Sequence, residues 1–331
     1  MNQIRVHPEV DQALHDGRPI VALESAVTTA GLPRQPLQSL PNCPAPGWRH
    51  GEPLNLEVAR LLERTVRLQG AIPATIALLD GRIHVGLEDE ELAQLATDGT
   101  ALKAGVGDLA HRMATGANAG TTVSATLAAC MLPAAGPIKV FATGGIGGVH
   151  RRWGECPDIS ADLRQIATTP VCVVCAGAKA VLDVEATVEM LETLGIPVIC
   201  YRTGHFPLFF SPGDQRLAAP TRLDDTEAVA ALCLHHWTAL GRRCGVILAN
   251  PIPLEYGLDI KEVDQAVNMA EALANAQGIT GRDRTPFLLS ELARRTDGRS
   301  LMANIALLAN NASLAAETAI SLGNSADTAN A

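Results

Sequence analysis

The sequence predicts a single α/β/α domain with a largely parallel central sheet and helices on both faces. Three observations carry this. Short β-rich apolar runs alternate with helical periodicity from end to end, the order that βαβ units produce. The 331 residues are 47% apolar and only 18% charged, enough to bury a sizeable core. No break in composition marks a second domain, so one unit is expected over residues 1–324, with the small polar tail Ser325 to Ala331 fraying.

In chain order, strands are expected at Ile20 to Leu23, Ala74 to Leu79, Arg82 to Val85 after an Asp80-Gly81 turn, and Lys139 to Ala142. Val171 to Cys175, Val198 to Tyr201 and Val246 to Ala249 are short apolar runs of the same kind. Helical spacing of apolar residues appears between them at Leu56 to Leu68, Glu88 to Ala96, Thr122 to Met131 and Ala161 to Ala167. It returns at Val184 to Leu194, Glu227 to Leu240, Ile260 to Ala276, Pro286 to Arg294 and Leu301 to Leu322. Gln35 to Pro53 interrupts the order with five prolines and Trp48, and reads as an irregular surface insertion, long for such a connection.

Charge and cysteine usage exclude several classes. A net charge of −9 gives no footprint for nucleic acid or an anionic membrane. Purely apolar stretches such as Val171 to Ala176 fall far below the ~20 residues of a membrane span, and MNQIRVHPEV carries no signal pattern; a cytoplasmic protein is expected. The eight cysteines are scattered, as reduced core thiols would be. Cys172 and Cys175 form a C-x-x-C, but inside a strand-like run, which reads as strand interior rather than a redox or zinc site.

Ligands of open α/β sheets bind beyond the carboxyl ends of the strands, so the residues there are the candidates. Glu24 ends the first strand, where burial would raise its pKa and suit it to acid or base work. Only four of the 26 basic residues are lysines (103, 139, 179, 261), so each stands out as a candidate amine, a role arginine cannot fill. Lys179 follows the apolar strand Val171 to Cys175, a setting that would favour a neutral, nucleophilic amine. Lys103 ends Thr100-Ala-Leu-Lys shortly before a helix, and Gly120-Thr121-Thr122 opens a helix whose amides could meet a phosphate. Ala142-Thr-Gly-Gly-Ile-Gly-Gly-Val-His150 has the glycine density for close backbone approach and positive φ, without a nucleotide fingerprint. Asp158-Ile-Ser-Ala-Asp162 sets two carboxylates four apart, suited either to a divalent ion or to capping a helix.

As a set these segments resemble the pseudouridine-5′-phosphate glycosidase family. The resemblance runs through Val21-Ala-Leu-Glu-Ser25, Gly70-Ala-Ile-Pro-Ala-Thr75, Gly116-Ala-Asn-Ala-Gly-Thr-Thr122, Phe141 to Arg151 and Asp158 to Asp162. It continues through Val174-Cys-Ala-Gly-Ala-Lys179, Ala249-Asn-Pro-Ile-Pro253, Gly298 to Leu301 and Ala303-Asn-Ile-Ala-Leu307, covering nearly the whole chain in order. It implies an α/β/α homotrimer that reversibly cleaves pseudouridine 5′-phosphate to uracil and ribose 5-phosphate, with a divalent metal, typically Mn²⁺. It further implies Lys179 as the imine-forming nucleophile, Glu24 as proton donor and Asp158 as metal ligand. Lys103, Val123, Ser160, Ala161, Asp162 and Asn304 would contact substrate. The chain departs from the family pattern in the enlarged Gln35 to Pro53 loop, in Ala104-Gly-Val-Gly107, at His84 and at Cys156-Pro157. A sugar-phosphate-binding homologue without catalysis, or a same-fold enzyme acting on another C-nucleoside in an indigoidine-type pathway, are the alternative readings.

Overall fold

Ile72–Leu79 is buried at all eight positions, as a strand covered by helices on both faces must be. The computed structural model describes residues 3–36, 51–151, 153–155, 157–281 and 284–330, side chains of 326–330 apart. Most of the proline-rich segment, including Trp48 and Cys43, and likewise Cys156, lies outside the described residues. So does the expected frayed tail beyond Ser325, as regards its side chains.

Among the described residues thirteen strands form: β1 (Ile4–Val6), β2 (Ile20–Glu24), β3 (Ile72–Leu79), β4 (Arg82–Val85), β5 (Leu102–Ala104), β6 (Ala119–Thr121) and β7 (Val140–Ala142), then β8 (Val149–His150), β9 (Cys172–Cys175), β10 (Leu182–Asp183), β11 (Val198–Tyr201), β12 (Thr221–Leu223) and β13 (Val246–Ala249). The helices are α1 (Pro8–His15), α2 (Leu54–Leu68), α3 (Asp89–Thr97), α4 (Leu109–Ala114), α5 (Val123–Cys130) and α6 (Ala161–Ile166), followed by α7 (Val184–Thr193), α8 (Thr226–Leu234), α9 (Ile260–Ala276), α10 (Arg284–Arg295) and α11 (Arg299–Asn330).

The main sheet has eleven strands in the order β1-β4-β3-β2-β7-β9-β13-β11-β12, with β6 against β3 and β5 beyond β6. Among the described residues only the β3–β4 and β3–β6 pairs of this sheet are antiparallel, so the sheet is largely parallel as expected. β8 and β10 form a separate antiparallel ribbon. All seven expected strands and nine expected helices are present, within a few residues at their ends apart from α8 and α11. Three expectations change. Lys103 stands on a strand, β5, rather than in a connection. The run read as one helix over Glu227 to Leu240 ends its α-helical part at Leu234 and continues as a π-helical turn, His235–Ala239. Six short strands, the helix α1 and a π-helical turn at Val27–Gly31 were not expected, whereas α4 is the helix expected shortly after Lys103.

Helix α11 lies across β2, β7 and β9. It is long and apolar enough to cross a membrane, yet 72% of its apolar window is buried inside the fold, as in a core helix. Cys172 and Cys175 are fully buried in β9, with free thiols, which agrees with the strand-interior reading. The four adjacent parallel strands β2, β7, β9 and β13 point the same way. Their carboxyl ends therefore deliver Glu24, Thr143, the Ala176 to Lys179 loop and Asn250 to one edge of the sheet.

Candidate active site

A cavity of about 420 Å³ opens at that edge, and Glu24, Lys103, Asp158, Lys179 and Asn304 all line it. Ser160, Ala161 and Asp162 form part of the same wall. Val123 does not reach it: the residue is fully buried as the first of α5, and its neighbours Thr122 and Ser124 face the cavity instead. A second hollow of about 310 Å³ shares Leu182 with the first. Its two guanidiniums, Arg151 and Arg216, both approach Asp264, at 3.4 and 3.9 Å, so neither cation faces a ligand unopposed.

Glu24 lies deep in the molecule, with only the cavity exposing it. Burial pushes its carboxyl above the ordinary range. The Lys179 ammonium pulls it back, as does the Thr143 hydroxyl, which donates to Glu24 Oε1 at 2.5 Å, while the Asp162 charge pushes it up further. The carboxyl and the amine thus share one electrostatic environment, and the carboxyl is held toward its protonated form.

Lys179 is half-buried on the loop that leaves β9. Two loops are laced together to hold it: Ala176 N donates to Gly144 O at 2.9 Å, Ile146 N to Gly177 O at 3.1 Å, and Lys179 N to Ile146 O at 3.1 Å. Such lacing needs backbones without side chains between them. A Cβ on Gly145 would stand 2.6 Å from two ring atoms of Phe209 and 3.0 Å from Gly177 O. One on Gly147 would meet Asp162 Oδ2 at 2.7 Å. None of the four glycines from 144 to 148 has positive φ, so their role is close approach rather than the left-handed backbone also expected of them.

The Asp158 to Asp162 segment runs beside that loop, with His150 N donating to Asp158 O at 3.0 Å and Ser160 N to Gly148 O at 2.9 Å. Ser160, not either aspartate, caps α6, its hydroxyl accepting from Asp162 N. Asp162 is 5% exposed, and each oxygen is taken by a backbone amide: Oδ1 accepts from Ser124 N and Oδ2 from Gly147 N, both at 2.9 Å. It clamps the start of α5 to the glycine loop. Asp158 precedes α6, so the two carboxylates share the cavity without sharing a helix face.

Among the described residues no group of three His, Cys, Asp or Glu side chains is arranged to hold a metal ion. Asp158 keeps a 45% exposed carboxylate, with His150 Nδ1 3.9 Å from its Oδ2. A single exposed carboxylate of this kind fits a hard divalent ion that retains most of its waters, and does not make a protein cage.

Sequence reasoning missed Thr143 as a partner of Glu24, and Phe209, whose ring fills the space above Gly145 from a backbone at φ 61°. Thr143 had a weak signal as the first residue of the Thr-Gly-Gly run; Phe209 had none, because positive φ at a bulky residue is imposed by its surroundings.

A profile of the family described as indigoidine synthase A-like protein matches residues 48–321. A pseudouridine-5′-phosphate glycosidase of Methylobacterium nodulans is 48% identical over 95% of this chain and 87% of its own length. One from Petrotoga mobilis is 46% identical over 96% of each chain. Among solved structures, the prealnumycin C-glycosynthase AlnA in complex with ribulose 5-phosphate superposes with a TM-score of 0.84 at 34% identity, over 99% of both chains. An indigoidine synthase A-like protein from Thermotoga maritima gives 0.81 at 34% identity over 97% of both.

Proposed function

The chain belongs to the indigoidine synthase A-like family, and on that premise we propose that it reversibly cleaves the carbon–carbon glycosidic bond of pseudouridine 5′-phosphate, yielding uracil and ribose 5-phosphate. The observation that carries this reading is the meeting of Glu24 and Lys179 in one cavity, the carboxyl pushed toward its protonated form by burial.

The chemistry demands both groups. An ordinary glycosidase protonates a departing oxygen or nitrogen, but uracil C5 has no lone pair to take that proton. The Lys179 amine adds to ribose C1′ and sheds a proton, which the departing ring oxygen takes up as the sugar opens. Glu24 then protonates C5. The C1′–C5 pair stays with uracil, restoring its double bond, while the lysine nitrogen's lone pair forms the C1′ iminium. Water hydrolyses the iminium, releasing ribose 5-phosphate and the amine. Two easier steps replace one difficult cleavage. Lys103, Ser160 and Asn304 line the cavity where the phosphate and base would be held, which keeps the opened sugar near the amine.

Asp158, with His150 beside it, is the residue that would hold Mn²⁺, which when bound supplies positive charge to substrate oxygens. The same reading places the chain in pseudouridine catabolism, in the cytoplasm, as a homotrimer. The relative solved with ribulose 5-phosphate favours a second reading, C–C bond formation between a pentose phosphate and another acceptor.

Incubation with pseudouridine 5′-phosphate and Mn²⁺ should release uracil, and Lys179→Ala should abolish it. Borohydride with ribose 5-phosphate should leave a covalent adduct on Lys179. Full activity in Lys179→Ala excludes the imine route, and an adduct without uracil release favours the second reading.

A further inference from the structure

The motif Ala249-Asn-Pro-Ile-Pro253 has no part in the chemistry above, yet its asparagine begins a buried polar chain that ends on Glu24. Asn250 Nδ2 donates to Asn311 Oδ1 at 3.1 Å, and Asn311 Nδ2 donates to the backbone oxygen of Thr143 at 2.8 Å. The Thr143 hydroxyl then donates to Glu24 Oε1 at 2.5 Å. Asn250, Asn311 and Thr143 are 6%, 0% and 2% exposed. Polar groups this deep are costly unless each is partnered, and a fully partnered network has one arrangement rather than several.

The arrangement is directional. Asn250 is itself fixed, its backbone N–H donating to Cys175 O at 2.8 Å. With Asn250 donating to its oxygen, Asn311 must turn its NH₂ toward Thr143, since a flipped amide would set NH₂ against NH₂. Thr143 is thereby held at three atoms: its N–H donates to Val174 O at 3.0 Å, its carbonyl accepts from Asn311, and its hydroxyl meets Glu24. The strands involved, β7, β9 and β13, are the ones whose ends also hold the Lys179 loop.

Resting on the functional reading above, we propose that Thr143, backed by Asn311 and Asn250, is a positioning residue that fixes the carboxyl of Glu24 relative to the Lys179 amine. With Oε1 occupied as an acceptor, the acidic hydrogen is left on Oε2. The other charged groups acting on this carboxyl are Lys179 from the loop after β9 and Asp162 from α6, and neither is changed by substituting Thr143.

The test is the pH–rate profile of uracil release by Thr143→Val, which keeps the side chain's shape and deletes the donor. Because the hydroxyl favours the charged carboxylate, its loss moves the basic limb to higher pH. The plateau kcat falls on the order of tenfold as the proton loses its fixed direction, with KM for pseudouridine 5′-phosphate little changed. Thr143→Ser restores both. Borohydride trapping of ribose 5-phosphate on Lys179 persists in the Val variant, because the amine is untouched. Asn311→Leu moves the limb the same way by less. If Thr143→Val does not fold, Thr143→Ala reads the same limb. A wild-type chain that releases no uracil overturns the functional reading and the relay with it. An active wild type whose Thr143 variants keep its pH profile overturns the relay alone, and an unmoved limb in Asn311→Leu overturns the link beyond Thr143.

Discussion

Asp162 is the residue at which stability and chemistry can be separated most cleanly. Its buried carboxylate accepts one backbone amide on each oxygen, Ser124 N and Gly147 N, both at 2.9 Å. Asp162→Asn keeps the volume but leaves one acceptor oxygen for two amides. The lost bond was made to a charged acceptor, about 1.5–3 kcal/mol, and the new NH₂ faces an N–H with nothing between them. A total near 3 kcal/mol follows, set against an unfolding entropy of about 0.7 kcal/mol per kelvin for 331 residues. The melting temperature should fall by about 4 °C. Asp162 also pushes the Glu24 carboxyl upward, so neutralising it lets that pKa fall. Since the protonated form is the working one, the basic limb of uracil release should move to lower pH, opposite in sign to the Thr143→Val shift. Thermal melts and a pH–rate profile on one preparation read both effects. A melting temperature within about a degree of wild type would refute the clamp, and an unmoved limb would refute its influence on Glu24.

Two further substitutions test the same geometry. Glu24→Gln should cost at least a hundredfold in uracil release, since an amide donates no proton to C5. It should also raise the melting temperature at pH 8: burial raises the folded pKa of Glu24, so wild type loses stability as pH climbs from the ordinary carboxyl value through the raised one, and glutamine does not titrate. A lower melting temperature at pH 8 than wild type contradicts this. Gly145→Ala places a methyl 2.6 Å from the Phe209 ring and 3.0 Å from Gly177 O, so the loop must move, at about 1–3 kcal/mol. Activity should fall at least tenfold while Lys179 still traps ribose 5-phosphate slowly; wild-type kinetics would show that the loop has slack.

The fold was legible where a segment's own residues decide its state. Val171 to Cys175 and Val246 to Ala249 are apolar on both faces, which suits only a strand covered on both sides, and they lie side by side in the sheet's interior. The strands that were missed depend on a partner. Thr221–Leu223 has two of three residues exposed and becomes β12 only because β11 offers it a parallel edge. The end of α8 was misread for a related reason. Apolar spacing continues to Leu240, but His236 Nε2 meets Cys244 Sγ at 3.1 Å and Trp237 Nε1 donates to Cys244 O at 3.0 Å. Those anchors accompany a widened turn over His235–Ala239 that no periodicity encodes.

The candidate site divides along the same line. Glu24 and Lys179 could be singled out because a carboxylate or an amine at the end of an apolar strand conflicts with its surroundings, and such local conflict is visible in a single sequence. Nothing local marks Asn311 among the several polar residues of α11, because its partners lie 61 and 168 positions away. Val123 is the converse case. Its segment does open a helix at the cavity, but helical phase turns Val123 inward and presents Thr122 and Ser124 instead. Residue type at a strand end therefore names which groups could react, whereas the order of strands in the sheet decides which of them meet. Here the adjacency of β2, β7, β9 and β13 puts an acid, a hydroxyl, an amine and an amide side by side. A change that disturbs that adjacency should remove the reactivity of Glu24 and Lys179 together, while one at Thr143 should alter only the acid.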